Sequence, residues 1–188
     1  GDAQEPGITP RMIEGIFKRA QQALVQSAGS GGVGGSGGSE GSSGSGGSSG
    51  GRSLEIRFST YMVELYNEKL ADLLVSPKDR ATSKPLVIKL PTAASKGLVE
   101  VSGVRVVPVS SAVETLTLLT QASEARRTRK TVSNTASSRS HFVTVLVCEQ
   151  RKSPPPGSKA SSGKWRRSKL CLCDLAGCER GSTLPSCV

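Results

Sequence analysis

Two short stretches of this chain carry residue types that could do chemistry. The first is residues 170–180, LCLCDLAGCER. An apolar run ends in an aspartate, and D-x-x-G follows. A strand that delivers a carboxylate at its carboxyl end can hold it rigidly beside a phosphate-bound magnesium, as a Walker B strand does. A glycine three residues later lets a backbone N–H approach a terminal phosphate closely. Asp174 and Gly177 are those two positions. Alone, D-x-x-G also describes an ordinary exit from a strand into a turn. The second stretch is residues 134–141, NTASSRSH, where three serines flank an arginine just before an apolar run. Hydroxyls can ligate magnesium or orient water, and a guanidinium pairs with a carboxylate or a phosphate. Alone, a serine-rich loop capping a neighbouring element reads the same way.

The elements that must position these residues follow from periodicity. Residues 9–26 predict a helix, with Thr9 as cap, Pro10 in the first turn, and Ile13, Ile16, Phe17, Ala20 and Leu24 at helical spacing. Residues 27–51 are almost pure Gly and Ser. Such a segment cannot bury enough apolar surface to offset its ordering entropy, so a disordered insertion is expected. Residues 53–66 predict a long strand, residues 70–75 a short strand or turn, and residues 85–90 and 98–109 further strands broken by Gly97 and Gly103. Ser111 and Glu114 form a capping box that starts a helix running to about Arg127. Residues 141–149 and 167–174 predict strands, the second with a continuous apolar end that suggests burial on both faces. Residues 150–166 predict a polar, Pro-rich hairpin loop. Strands mixed with helices indicate an α/β layered fold.

Composition narrows the partners. The formal net charge of +10 favours an acidic one: nucleic acid, an anionic membrane or an acidic protein surface. Aromatic residues make up only 3% of the chain, which argues against platforms for stacking bases. Five cysteines, an odd number, and no signal peptide argue against a disulfide framework. The cysteines lack paired C-x-x-C spacing and His141 is the only histidine, so zinc binding is disfavoured. No apolar run reaches the roughly 18 residues that a membrane span needs.

Taken together, N-x-x-S-S-R-S-H, a strand, a hairpin loop, a strand and D-L-A-G-x-E-R resemble the switch I and switch II pair of the kinesin superfamily. Other stretches agree in order: GITPRMIEGIF at 7–17 resembles the helix after that family's P-loop, ELYNEKLADLL at 64–74 its E-I-Y-N-E-x-x-x-D-L-L, and GVRVVPVSS at 103–111 the approach to the switch I helix. The resemblance implies a three-layer sandwich, a central mixed β-sheet flanked by helices, present here as an incomplete kinesin-type P-loop NTPase fold over residues 1–188. It implies ATP and Mg as cofactors, and an ATPase coupled to movement along microtubules in the complete motor. By the same resemblance Ser138 and Ser140 lie near the magnesium and γ-phosphate, with Ser140 as a metal ligand. Ser137 positions the attacking water, and Asn134 orders the loop. Asp174 holds Mg through water, Gly177 senses the γ-phosphate, and Arg139 and Glu179 pair to close the switches. The implied partner is tubulin, with no specific nucleic acid, and the implied location is the cytoplasmic microtubule cytoskeleton.

The sequence also departs from that pattern. No G-x-x-x-x-G-K-[ST] occurs in it; the only Gly-Lys pair, Gly163-Lys164, is followed by Trp165. A P-loop is expected just upstream of Gly1, both ends are expected to be cut, and these 188 residues alone are expected to bind little ATP. Cys178 stands where the family has serine. Arg126, Arg127, Arg129 and Lys130 read as a solvated, cationic helix end, favourable to the C-terminal dipole. Two other readings compete: a non-catalytic kinesin-like protein that binds microtubules or partners, and a basic nucleic-acid-binding protein with steeply salt-dependent affinity.

Overall fold

The computed structural model describes residues 7–29, 53–93, 95, 97–132, 140–154 and 161–176, the side chains of residues 29 and 129–132 excepted. In chain order the elements are α1 (Ile8–Gly29), β1 (Ser53–Tyr66), β2 (Lys69–Asp72), α2 (Pro77–Thr82), β3 (Val87–Lys89), β4 (Glu100–Ser102), β5 (Val107–Val109), α3 (Ala112–Val132), β6 (Ser140–Ser153) and β7 (Arg166–Asp174). One sheet runs β2-β1-β6-β7 with β5 added against β1, and β3 pairs with β4 in a small antiparallel ribbon. A mixed sheet with helices is the expected α/β architecture. The sequence missed the six-residue α2, which Ser76 caps by accepting the Asp79 N–H at 3.2 Å. The expected break at Gly103 divides residues 98–109 into β4 and β5, and the φ of +84° there suits glycine.

The chain divides into two compact units, residues 1–59, 108–116 and 147–170, and residues 60–107, 117–146 and 171–188. In the first unit α1 buries Ile13 and Phe17, and the Phe17 ring meets Phe58 with centroids 4.4 Å apart. Strand alternation turns Glu55 and Arg57 to the opposite face from Ile56 and Phe58. There Arg151 donates from Nε and Nη2 to Glu55 at 3.0 and 2.9 Å, and the Ser153 hydroxyl donates to the other carboxylate oxygen. These donors, Ser153 foremost, hold the Glu55 carboxyl below its ordinary range. The guanidiniums of Arg57 and Arg151 both stack on the Trp165 ring, at 4.5 and 4.6 Å. Residues 150–153, read from sequence as loop, therefore continue β6, because Arg151 and Ser153 have partners across the sheet.

The capping box at the start of α3 forms with one change. The Ser111 hydroxyl accepts the Glu114 N–H at 3.1 Å as expected, but the Glu114 carboxylate accepts from the N–H and hydroxyl of Ser110, at 2.8 and 2.9 Å. Those two donors lower the Glu114 carboxyl from its ordinary value, the backbone N–H most of all. An unfolded Glu titrates near about 4.3. A carboxyl lowered by folding contributes stability that is complete above that value and is lost as pH falls through the lower folded one. The stability difference between the native chain and Glu114→Gln is therefore expected to shrink as pH falls below about 4.3, read from urea melts at stepped pH.

In the second unit the core is Met62, Leu73, Ala122 and Phe142, with Leu74, Leu118, Leu119 and Ala125 packed around it. β1 and β2 join through Asn67 and Glu68, both at positive φ, with Tyr66 opposite Lys69. That is the geometry of a two-residue type I′ hairpin, which asparagine tolerates. The buried Asp72 carboxylate accepts from the Leu74 N–H at 2.9 Å and the Arg105 N–H at 2.6 Å, fixing the turn after β2. The Thr60 hydroxyl donates to the Val145 carbonyl at 2.9 Å, tying β1 to β6.

The apolar end of β7 is not buried on both faces. Cys171 and Cys173 are exposed, and β7 ends the strand order of its sheet among the described residues. A continuous apolar run needs a neighbour on each face to be covered, and the described residues supply only part of that cover. Cys148, on β6, is half-buried, and burial pushes its thiol up.

Candidate functional site

The residues of interest meet at the ends of three adjacent strands. Glu64 lies near the end of β1, Ser140 opens β6, and Asp174 closes β7. α3 supplies the group that joins them. Arg126 sits four residues after the buried Ala122, so it continues the core-facing side of the helix. Its aliphatic stem follows that face, and its head emerges among the strand ends.

The guanidinium uses every edge. Nη1 donates to Asp174 Oδ2 at 2.7 Å. Nη2 donates to the Ser140 carbonyl at 2.9 Å and to its hydroxyl at 3.2 Å, and Nε reaches the same hydroxyl at 3.3 Å. Nε also lies 3.8 Å from Glu64 Oε1, and the head sits over the Phe142 ring at 5.5 Å. Its side chain is only 11% exposed and that of Glu64 5%, whereas that of Asp174 is 68% exposed. The pair with Glu64 is thus a buried one, and the pair with Asp174 is open to solvent and screened.

His141 makes a second tie. Its Nδ1 accepts the backbone N–H of Ala176 at 3.0 Å. β6 therefore holds the chain just beyond β7, while Arg126 of α3 holds its last residue. What the cluster can do chemically is fix one carboxylate oxygen of Asp174, so that among the described residues the other is left to a water or a solvated ion.

Of the site residues read from sequence, Ser140 and Asp174 fall within the described chain and are brought together through Arg126. Asn134, Ser137, Ser138, Arg139, Gly177 and Glu179 lie outside the described residues, and with them the Arg139–Glu179 pair. Arg126 itself was misread as part of a solvated helix end; the structure buries it. The signal was its spacing from Leu118, Leu119 and Ala122, which places position 126 on the apolar face despite its charge.

The donor set can be tested against a magnesium ion. Asp174 fits: its side chain is mostly exposed, and among the described residues only one of its carboxylate oxygens has a side-chain donor, as binding through water needs. Ser140 in this arrangement does not: it is 1% exposed, and its oxygen already accepts from a guanidinium whose charge opposes a cation beside it. Among the described residues no group of three His, Cys, Asp or Glu side chains could hold a metal.

Comparison with known proteins settles the family. The sequence model described as the kinesin motor domain matches residues 1–186. The chain belongs to the kinesin motor-domain family. Kinesin-like protein KIN-14I of Oryza sativa subsp. japonica is 31% identical over 180 residues, covering 96% of this chain and 11% of that protein. Kinesin-like protein KIN-14E of Arabidopsis thaliana is 39% identical over 180 residues, with the same coverage. The solved structure of a fast kinesin superposes with a TM-score of 0.64 at 24% identity, covering 97% of this chain and 40% of that one. That likeness shows the fold: an incomplete kinesin-type α/β sandwich. The chain spans about a tenth of the length of these curated relatives. Members of the kinesin motor-domain family are microtubule motors and ATPases that bind nucleotide with Mg. No helix among the described residues is long and apolar enough to cross a membrane.

Proposed function

We propose that this chain is the switch-bearing part of an ATP-driven microtubule motor, working with a phosphate-binding loop that its 188 residues do not contain. The observation that supports this most directly is the bracket formed by Arg126. It ties Ser140, where β6 starts within NTASSRSH, to the aspartate of DLAG, at 2.9 and 2.7 Å. The two motifs thus meet at one guanidinium, which supports reading them as coupled nucleotide sensors.

In this reading Asp174 turns its other carboxylate oxygen to the water shell of a bound Mg, which would neutralise the charge of the ATP phosphates. Ser138 and Asn134 line the nucleotide, Ser137 orients the attacking water, and Gly177 offers its N–H to the γ-phosphate. Arg139 and Glu179 pair when ATP is present, excluding water and completing the geometry. Ser140 acts by seating Arg126. The partner is the microtubule, and the place of action the cytoskeleton.

The whole protein that carries this chain tests the proposal. Glu179→Ala is expected to bind ATP in the presence of microtubules and retain it uncleaved, read as nucleotide occupancy against phosphate release. Unchanged steady-state turnover would overturn the assignment.

A further inference from the structure

We infer that His141 is a positioning residue for the segment that follows Asp174, acting through Nδ1 as a hydrogen-bond acceptor. This rests on the switch reading for its functional meaning. The observations themselves concern two described residues. His141 is the second residue of β6, and Ala176 is the second residue beyond β7. The Ala176 N–H donates to His141 Nδ1 at 3.0 Å across 35 residues of sequence. A ring nitrogen that accepts this bond carries no proton, so the neutral ring bears its proton on Nε2.

The geometry has a consequence for the next residue in sequence. Gly177 is the position assigned to the γ-phosphate. The anchored Ala176 N–H belongs to the planar Leu175–Ala176 peptide unit. Holding that unit leaves only the φ and ψ of Ala176 between a fixed plane and the peptide unit that carries the Gly177 N–H. Arg126 fixes Asp174 through its side chain, and His141 fixes Ala176 through its main chain. Between them the two ends of D-L-A are referenced to β6, one through Ser140 and the other through His141. No leucine, phenylalanine or lysine at position 141 could supply that acceptor. Asparagine can, because its Oδ1 lies near the place of Nδ1.

The test uses this chain, uniformly labelled with 15N, without nucleotide. A scalar coupling between the Ala176 amide nitrogen and His141 Nδ1 is expected, with imidazole 15N shifts of the Nε2–H form. His141→Ala is expected to speed hydrogen exchange of the Ala176 amide about fivefold to tenfold, while Met62 and Val63 in β1 keep their protection. His141→Asn is expected to restore most of it. Two results would overturn the inference: no coupling in the native chain, or exchange in His141→Asn as fast as in His141→Ala. Should His141→Ala fail to fold, the coupling and the Asn variant still decide. Because no nucleotide enters, failure here leaves the motor assignment standing, and failure of the Glu179 experiment leaves the hydrogen bond standing.

Discussion

Arg126→Ala is expected to destabilise the chain by about 3 kcal/mol, in the range for removing one partner of a buried ion pair. The loss divides unevenly. Asp174 is mostly exposed, so water replaces the guanidinium at its carboxylate and that limb contributes less than about 1 kcal/mol. Glu64 is different: its side chain is 5% exposed, and it would lose the nearby cation with little water to take its place. Ser140, 1% exposed, would lose its donors at both carbonyl and hydroxyl. Urea denaturation of the single variants separates these limbs. Asp174→Asn is expected to shift the midpoint only slightly. In a Glu64→Gln background, Arg126→Ala is expected to cost clearly less than alone, because the buried carboxylate that faces the guanidinium is gone. Equal losses in both backgrounds would show that the stem of Arg126, packed along the core, carries the effect instead.

That cluster also shows why some of this protein could be read from its residues and some could not. The long strand at 53–66 and the existence of a helix at 9–26 were legible because periodicity is a local property. But α1 starts at Ile8, so Thr9 lies inside it rather than capping it, and it runs on through residues 27–29, which were expected to be disordered. The cap of α3 was legible in kind, since Ser111 needs only to be three residues before Glu114; which serine the carboxylate reaches depends on a rotamer, and that is Ser110. The environment of β7 was not legible. An apolar run reports what a strand is able to bury, while its actual burial depends on neighbours, and Cys171 and Cys173 stay exposed here. Asp174 could be named from its motif, yet its partner stands 48 residues away on another element. Charge misled the reading of Arg126: four cations in five residues look solvated, and only the helical spacing from Ala122 turns one of them inward. Ser140 was chosen for its hydroxyl, but that hydroxyl serves the guanidinium.

Phe142→Ala tests whether this arrangement depends on the core beneath it. Phe142 is 8% exposed and packs with Met62, Leu73 and Ala122, so truncation is expected to cost about 3–5 kcal/mol. Part of that loss is the cavity, and part is the face on which the Arg126 head rests at 5.5 Å. Phe142→Leu distinguishes the two. Leucine refills most of the volume without a π-face, so it is expected to recover the larger share of stability. If the ring also holds the guanidinium, Phe142→Leu retains a residual deficit that vanishes in an Arg126→Met background, where no cation remains to be held. A deficit of equal size in both backgrounds would assign the whole effect to packing. The same comparison bears on the site: where Arg126 is held from below by the ring, Asp174 Oδ2 keeps its partner, and the amide of Leu175 is expected to exchange at the native rate. Where the ring is lost and Arg126 swings free, that exchange is expected to quicken while Val145 and Val147, buried in β6, keep their protection.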